Sequence, residues 1–245
     1  MKLNTDGLIL KSKKTGESNR LVTVLTRDLG VVTAFANGAS KLKSKSAGAT
    51  ETLCYSTFTL SESKGTYTMT EAVPIEVFFE LRTDIEKLSL AQYFCEVAMN
   101  TAVEGENSDE QLRLILNCLY LLSKGLRGNL FIKAVYELRI MTVSGFMPDL
   151  SCCAACGAKR INNPVFSIDD AVVYCENCGG GVPLSAGVFS AMRHICSCPF
   201  ERLFSFEIGS KSLTALADIA ERYVVSHCGR RFTALDFYKN LPRQR

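Results

Sequence analysis

Two Cys-x-x-Cys motifs restrict the fold of this chain more than any other feature of its sequence. Cys153 and Cys156 form the first motif, Cys175 and Cys178 form the second, and eighteen residues separate them. Each motif presents two sulfurs from one bend of the backbone, so two motifs at this spacing supply the ligands of a tetrahedral Zn(II) site. The alternative, four unrelated buried cysteines, does not explain a spacing this regular. Because four thiolates leave no coordination position open for water, we expect the zinc to be structural.

The length and the remaining cysteines bound the class of protein. The chain has 245 residues, of which 47% are hydrophobic and 11 are cysteines, which leaves room for two or three small domains. No apolar run approaches the length of a membrane-spanning helix, and the first residues lead into a strand-like pattern without a signal peptide. We therefore expect a cytoplasmic protein with reduced cysteines. Cys54, Cys95 and Cys118 lie among apolar neighbours and are predicted to be core residues, whereas Cys152 is an alternative metal ligand beside Cys153.

The charges are distributed unevenly along the chain. Residues 1–45 carry nine Lys or Arg against three Asp or Glu, a balance of +6, whereas residues 46–110 carry three basic groups against twelve acidic ones, a balance of −9. A basic segment of this kind is typical of a surface that attracts a polyanion, and the acidic segment argues against uniform coating by nucleic acid. The candidate phosphate-binding residues are Lys11, Lys13, Lys14, Arg20, Arg27, Lys41, Lys43 and Lys45. For each of them, the alternative is an ordinary solvated side chain.

Five runs of β-branched and aromatic residues occupy the first part of the chain. They cover residues 7–10, 21–26, 31–35, 53–60 and 66–73, and polar or glycine-containing turns separate them. Five strands in about seventy residues fit one small closed barrel, and an OB-type barrel is the most common five-stranded barrel that receives nucleic acid. Phe35, Tyr55, Phe58 and Tyr67 are candidates for stacking on bases, with packing in the barrel core as the alternative.

After Pro74 the spacing of the apolar residues changes from that of a strand to that of a helix. Three helices are predicted between residues 83 and 145, and two more begin at Ser185 and Ser212 after the cysteine motifs. The predicted fold class is α+β and multidomain, with an N-terminal five-stranded OB-type β-barrel followed by a helical bundle that a four-cysteine zinc-binding loop interrupts. The corresponding domain limits are 1–80 for the barrel, 81–150 and 184–245 for the two parts of the helical domain, and 151–183 for the zinc insert.

The sequence contains none of the common enzyme motifs. It has no G-x-x-x-x-G-K-[ST] phosphate loop, no G-x-G-x-x-G motif after a strand and no H-E-x-x-H motif. His227 is expected at a helix end, where it packs or interacts with the helix dipole, and Asp169 and Asp170 are expected in a solvated turn. We therefore predict no catalytic residue and no small-molecule substrate. Two other function classes stay open, a zinc-stabilised adaptor that contacts only proteins and a nuclease or hydrolase with clustered carboxylates.

The order of these features resembles the bacterial recombination mediator family RecO over nearly the whole chain. Gly7 to Lys11, Gly16 to Gly30 and Gly38 to Ser44 look like the family's first barrel strands and its basic, serine-containing loop. Tyr136 to Leu150 looks like the last bundle helix and its connection to the first Cys-x-x-Cys motif, and Gly229 to Phe232 resembles the terminal helix junction. The order of these pieces is specific to the family.

The resemblance implies a non-enzymatic DNA repair protein of the bacterial cytoplasm that joins the nucleoid at damage sites and contacts no membrane. It also implies binding of single- and double-stranded DNA and annealing of complementary strands. The implied protein partners are RecR and the acidic C-terminal tail of single-stranded-DNA-binding protein, and binding of these partners helps RecA to load. Such a tail requires an apolar pocket rimmed with cations, and residues 111–150 carry five basic groups against two acidic ones. The candidates are Arg113, Lys124, Arg127, Lys133 and Arg139, with solvation on a helix surface as the alternative for each.

Overall fold

The computed structural model describes residues 2–39 and 46–242. The chain divides into two compact units, one of Met1–Leu126 with Phe232–Arg245 and the other of Arg127–Arg231. We call them the barrel unit and the cysteine unit. Within the described residues, no helix combines the length and the apolar character that a membrane crossing needs.

Five strands form a closed barrel in the barrel unit. They are β1 (Lys2–Thr15), β2 (Asn19–Thr26), β3 (Val31–Ala36), β4 (Cys54–Ser63) and β5 (Thr66–Val77). The strands close in the order β1-β2-β3-β5-β4, and β3 and β5 run parallel while the other pairs run antiparallel. This topology confirms the predicted OB-type barrel. Strand β1 is longer than predicted because its first half pairs with β4 and its second half with β2.

Alternation of side chains fills the barrel. In β3, Val32, Ala34 and Ala36 are buried in the core, whereas Thr33 and Phe35 point outward, as the period of two in a strand requires. Strands β1 and β2 approach closely at Gly7, where a Cβ atom would lie 2.7 Å from the carbonyl oxygen of Leu25. Only glycine fits this position without a shift of the backbone.

Six helices of at least eight residues follow the barrel in the described part of the chain. They are α1 (Ile85–Thr101), α2 (Asp109–Lys124), α3 (Asn129–Val143), α4 (Ala186–Ser197), α5 (Ser210–Cys228) and α6 (Thr233–Asn240). The first five confirm the predicted helices. Helix α1 begins where Asp84 accepts hydrogen bonds from the backbone N–H groups of Glu86 and Lys87. Helix α6 was not predicted from the residue pattern, and it packs on α1 through an edge contact between Tyr93 and Phe232.

The cysteine unit combines α3, α4 and α5 with a small sheet. Its strands are β6 (Pro164–Ser167), β7 (Val172–Cys175) and β8 (Val182–Pro183), in the order β7-β6-β8. Phe166 of β6 packs on Tyr223 of α5 with their ring centres 5.8 Å apart, and the Tyr223 hydroxyl donates to the carbonyl of Phe146 at 2.9 Å. The sheet is therefore anchored to the helices. The first cysteine motif lies in the loop before β6, and the second begins at the last residue of β7.

Candidate metal centre and nucleic-acid interface

The four predicted cysteines converge in the cysteine unit. The Sγ atoms of Cys153, Cys156, Cys175 and Cys178 all lie within 4.8 Å of one another, and those of Cys156 and Cys175 are 3.8 Å apart. Four sulfurs that each lie about 2.3 Å from one tetrahedral ion are about 3.8 Å apart. The arrangement therefore fits a metal ion bound by four thiolates.

Backbone hydrogen bonds shape the two bends that present the sulfurs. The N–H of Gly157 donates to the carbonyl of Cys153 at 2.8 Å, and Gly157 has φ +72°, a left-handed conformation that favours glycine. The N–H of Cys178 donates to the carbonyl of Cys175 at 2.9 Å. Ala154 donates to the carbonyl of Val173 at 2.9 Å, which fastens the first bend to β7. The first motif thus follows α3 and the second continues β7.

The electrostatics of the cluster favour a bound cation. Backbone N–H groups of Cys156 and Cys175 lower the pKa of Cys153 to about 6, and the N–H of Cys175 donates to the Cys153 Sγ at 3.2 Å. Burial and the neighbouring thiols raise the pKa of Cys175 to about 12, and hydrogen bonding with Cys156 raises the pKa of Cys178. Thiolates this close together repel one another, and the positive charge of a metal ion would compensate that repulsion.

The other cysteines do not join this cluster. Cys54, Cys95 and Cys118 are buried, which confirms that they are core residues, and burial raises the pKa of Cys95 to about 12. The alternative ligand Cys152 lies outside the four-sulfur group. Its Sγ instead accepts a hydrogen bond from the Ser151 hydroxyl at 3.7 Å.

His227 and the two aspartates lie at the helix end and in the turn that were predicted for them. The Nδ1 of His227 lies 3.0 Å from the carbonyl of Tyr223, and the two rings are 4.1 Å apart. Asp169 and Asp170 lie in the exposed turn between β6 and β7, where the Ser226 hydroxyl donates to Asp169 and the Ser167 hydroxyl donates to Asp170.

The strand register places two of the predicted phosphate-binding lysines on the same side of the sheet as an exposed aromatic side chain. Lys13 pairs with Leu21 and Leu21 pairs with Phe35, while Lys11 pairs with Thr23 and Thr23 with Thr33. Paired residues lie on the same side of a sheet, so Lys11, Lys13, Thr33 and Phe35 share the outer side of β1, β2 and β3. We call this group the basic strand face. Phe35 is 40% exposed, and Lys14 is exposed at the end of the same strand.

Arg20 lies on the opposite side of the sheet from Lys13. Arg20 pairs with Lys14 of β1 and with Ala36 of β3, and it is only 8% exposed. Its guanidinium donates to Glu51 at 2.5 Å and to the Ser12 hydroxyl at 3.2 Å. A phosphate contact would require Arg20 to leave Glu51, so its role in DNA binding stays a prediction.

The remaining candidates for phosphate binding are separated from the basic strand face. Arg27 follows β2 at the other end of the strand and forms ion pairs of 3.3 Å with Asp6 and Asp109. Lys41, Lys43 and Lys45 lie outside the described residues. The structure therefore brings together Lys11 and Lys13, with Lys14 at the strand end.

The barrel aromatics divide between the surface and the core. Phe58 is fully buried in the barrel core. Tyr67 is half-buried and packs against that core, so core packing is confirmed for these two residues. Tyr55 is also half-buried, and burial raises its pKa. Phe35 is the ring that the structure leaves open on the basic strand face.

The five candidates for binding an acidic tail are spread over two helices and the loop before α3. Arg113 and Lys124 are exposed on α2, where helical spacing places Tyr120 on the same side, and Lys124 donates to Glu80 at 2.5 Å. Arg127, in the loop before α3, donates hydrogen bonds to Glu207 and to the carbonyl of Phe206.

The other two candidates lie on α3. Lys133 is buried, and Arg139 donates to the carbonyls of Ile195 and Cys196 at the end of α4. The role of all five candidates in partner binding stays a prediction.

Comparison with known proteins identifies both parts of the chain. The family model described as Recombination protein O N terminal matches residues 1–78, and the one described as Recombination protein O C terminal matches residues 82–236. A relative from Acetivibrio thermocellus named DNA repair protein RecO is 33% identical and covers 98% of each chain. Proteins of the same name from Desulforudis audaxviator and Alkaliphilus metalliredigens are 30% and 26% identical, over 97% and 98% of this chain and 96% and 100% of their own lengths.

Proposed function

The chain belongs to the recombination protein O family of DNA repair proteins, and on this premise we propose that it binds single- and double-stranded DNA mainly through phosphates and anneals complementary strands. The observation that carries the proposal is the basic strand face, where Lys11 and Lys13 of β1 share the outer side of an OB-type barrel with Phe35 of β3. A surface that combines cations with an exposed ring suits a sequence-tolerant contact with single strands.

The physical basis of binding is release of counterions. Each lysine that neutralises a phosphate frees condensed cations from the DNA, so affinity falls as salt rises. Stacking of a base on Phe35 adds about 1–3 kcal/mol and depends little on sequence because every base has a π-face. Annealing follows when a cationic surface screens the repulsion between two strands and leaves base edges free. No covalent bond is made or broken, so the proposed activity is not enzymatic.

The proposed partners are RecR and the acidic C-terminal tail of single-stranded-DNA-binding protein, with RecA acting downstream. The exposed side of α2 supports tail binding, because Arg113, Tyr120 and Lys124 combine cations with an aromatic ring. Together with RecR, the protein would help RecA to replace single-stranded-DNA-binding protein on the strand.

The proposed metal is Zn(II) in a structural role. Four thiolates are the ligand set that this soft ion takes in closed tetrahedral sites, and no ligand position is left for a reacting molecule. The ion would hold the bend after α3 against the end of β7, at Cys153 and Cys175.

The proposal predicts that charge reversal on the basic strand face slows annealing. Replacing Lys11 and Lys13 with Glu should slow the annealing of complementary fluorescent oligonucleotides at least about tenfold, because two attractive phosphate contacts become repulsive. Lys2→Glu is the matched control, since Lys2 is exposed on the same strand but in the half that pairs with β4. If the double variant anneals the oligonucleotides as fast as the wild type, both with and without single-stranded-DNA-binding protein, the basic strand face is not the DNA site.

A second candidate function is a zinc-stabilised protein adaptor without direct DNA binding. It is favoured by a run of exposed apolar side chains in the acidic segment, Val73, Ile75, Val77 and Phe79, because exposed apolar surface of this kind marks contacts between proteins. The adaptor would show no salt-sensitive binding of a fluorescent single-stranded oligonucleotide. Binding that weakens with salt excludes it.

A further inference from the structure

An open cleft in the cysteine unit lies beside the start of β6 and one side of α4. Its volume is about 770 Å³, which is within the usual range for sites that hold small organic groups. Pro164, Leu184 and Phe189 supply an apolar wall, and Asn163, Arg193 and His194 supply polar groups. None of these residues takes part in the metal centre or in the basic strand face.

The cleft offers one cation and a ring at the same place. The guanidinium carbon of Arg193 lies 5.7 Å from the centre of the Phe189 ring, so the cation and the ring form a joint surface. Arg193 is exposed and Phe189 is half-buried. His194 is already engaged, because its Nε2 lies 2.9 Å from the carbonyl of Arg202.

The neutral groups of the cleft distinguish between ligands. The side-chain N–H of Asn163 donates to Glu176 at 2.8 Å, and this assignment is fixed because a carboxylate only accepts. The Asn163 oxygen is then left to accept a hydrogen bond. A peptide whose carboxylates enter the cleft would meet the Asn163 oxygen, which repels them, beside the one arginine among the lining residues. A nucleotide brings one phosphate per base and a ring or amino N–H from which an oxygen can accept, so the cleft suits a nucleotide better.

We infer that this cleft binds one nucleotide of a single strand, with the base against Phe189 and the phosphate at Arg193. The inference rests on the proposed DNA binding and adds a contact outside the barrel unit. Exposed Lys159 and Arg160 directly precede Ile161, which lines the cleft, so the chain leading into the cleft is basic as well. A protein that contacts single-stranded DNA at two separate sites is suited to bringing two complementary strands together.

Photo-cross-linking tests the site directly. An oligothymidylate that contains 5-iododeoxyuridine is irradiated with the full-length protein, and the cross-linked peptides are identified by mass spectrometry. We expect a cross-link at or next to Phe189, and we expect it to persist when Lys11 and Lys13 are replaced with Glu. Arg193→Ala should weaken binding of the oligonucleotide about 3- to 10-fold and reduce the slope of log affinity against log salt by about 0.7, the value for one single-strand phosphate.

Arg222→Ala is the matched control, because Arg222 is an exposed arginine of the same unit that pairs with Asp218 on α5. Phe189→Leu keeps an apolar side chain and should lose the cross-link without unfolding the protein. If the wild type binds the oligonucleotide but cross-links only within the barrel, and Arg193→Ala binds normally, the inference is wrong and the proposed function stands. A wild type that does not bind the oligonucleotide contradicts both. If Arg193→Ala keeps oligonucleotide binding but loses an acidic peptide, the cleft is a peptide site instead.

Discussion

At the scale of single residues, strand parity decides which basic side chains are available to DNA. Lys13 and Arg20 both belong to the basic N-terminal segment, but the register places Lys13 in line with Phe35 and Arg20 in line with Ala36. The sequence correctly predicted the strands and shows the excess of basic residues in this segment, but it does not determine the register between neighbouring strands. Glu51 lies 31 residues from Arg20, so the ion pair that holds this arginine was not visible in the sequence.

The same parity singles out Phe35 as the stacking residue. Phe35→Ala should reduce single-stranded DNA affinity about 5- to 160-fold, which corresponds to the loss of about 1–3 kcal/mol of stacking. The melting temperature should change little because Phe35 is 40% exposed and makes no core contact of the kind that buried Phe58 makes. Fluorescence anisotropy with an oligothymidylate measures the affinity, and an unchanged dissociation constant would show that no base stacks there.

At the scale of elements, a buried ion triad joins α3 to α5. Lys133 is 2% exposed and lies 2.8 Å from Glu137 and 2.9 Å from Glu221. Burial lowers the pKa of Lys133, but Glu137 and Glu221 outweigh it and the net pKa is raised. The contribution of Lys133 is therefore fully present at neutral pH, below the ordinary lysine pKa, and is lost as pH rises through the higher folded value. Periodicity predicted α3, but Glu221 is 88 residues away, so the sequence placed Lys133 among the candidates for a surface site.

Removal of one member of this triad should destabilise the protein strongly. Lys133→Ala leaves Glu137 buried without its cation, and the expected loss is about 3–5 kcal/mol of unfolding free energy. Urea denaturation at neutral pH measures it. Joint replacement of Lys133 with Met and Glu137 with Leu should recover most of the loss, and a single variant as stable as the wild type would contradict the structural role.

At the scale of the whole molecule, the sequence predicted a barrel, helices and a four-cysteine centre, and the structure confirms that plan. The cysteine spacing was sufficient because each motif brings its two sulfurs together locally. The terminal helix α6 escaped prediction because it is short and is stabilised by distant groups, such as Glu96, which accepts a hydrogen bond from the N–H of Ala234. The proposed limits of the domains stay a prediction, while the compact units divide between Leu126 and Arg127 and again between Arg231 and Phe232.

Metal removal should act on the cysteine unit as a whole. Chelation of Zn(II) is expected to lower the melting temperature by about 10 °C, equivalent to a loss of about 3 kcal/mol in a chain of this size. Cys178→Ser should reproduce the shift, whereas Cys152→Ser should not, because Cys152 lies outside the four-sulfur group. Differential scanning calorimetry measures the melting temperature of each protein, and metal analysis measures its zinc content. A metal-free protein that melts at the temperature of the wild type would refute the stabilising role.

The salt dependence of single-stranded DNA binding tests the central claim most directly, because its slope is proportional to the number of phosphates that the protein neutralises. If about six basic side chains of the N-terminal segment contact phosphates, affinity should fall by about 10² to 10³ between 50 and 200 mM salt. Replacing Lys11 and Lys13 with Ala should reduce the slope of log affinity against log salt by about 1.4, since each single-strand contact contributes about 0.7. Lys2→Ala should leave the slope unchanged. Equal slopes for the wild type and the double variant would contradict the assignment of the basic strand face.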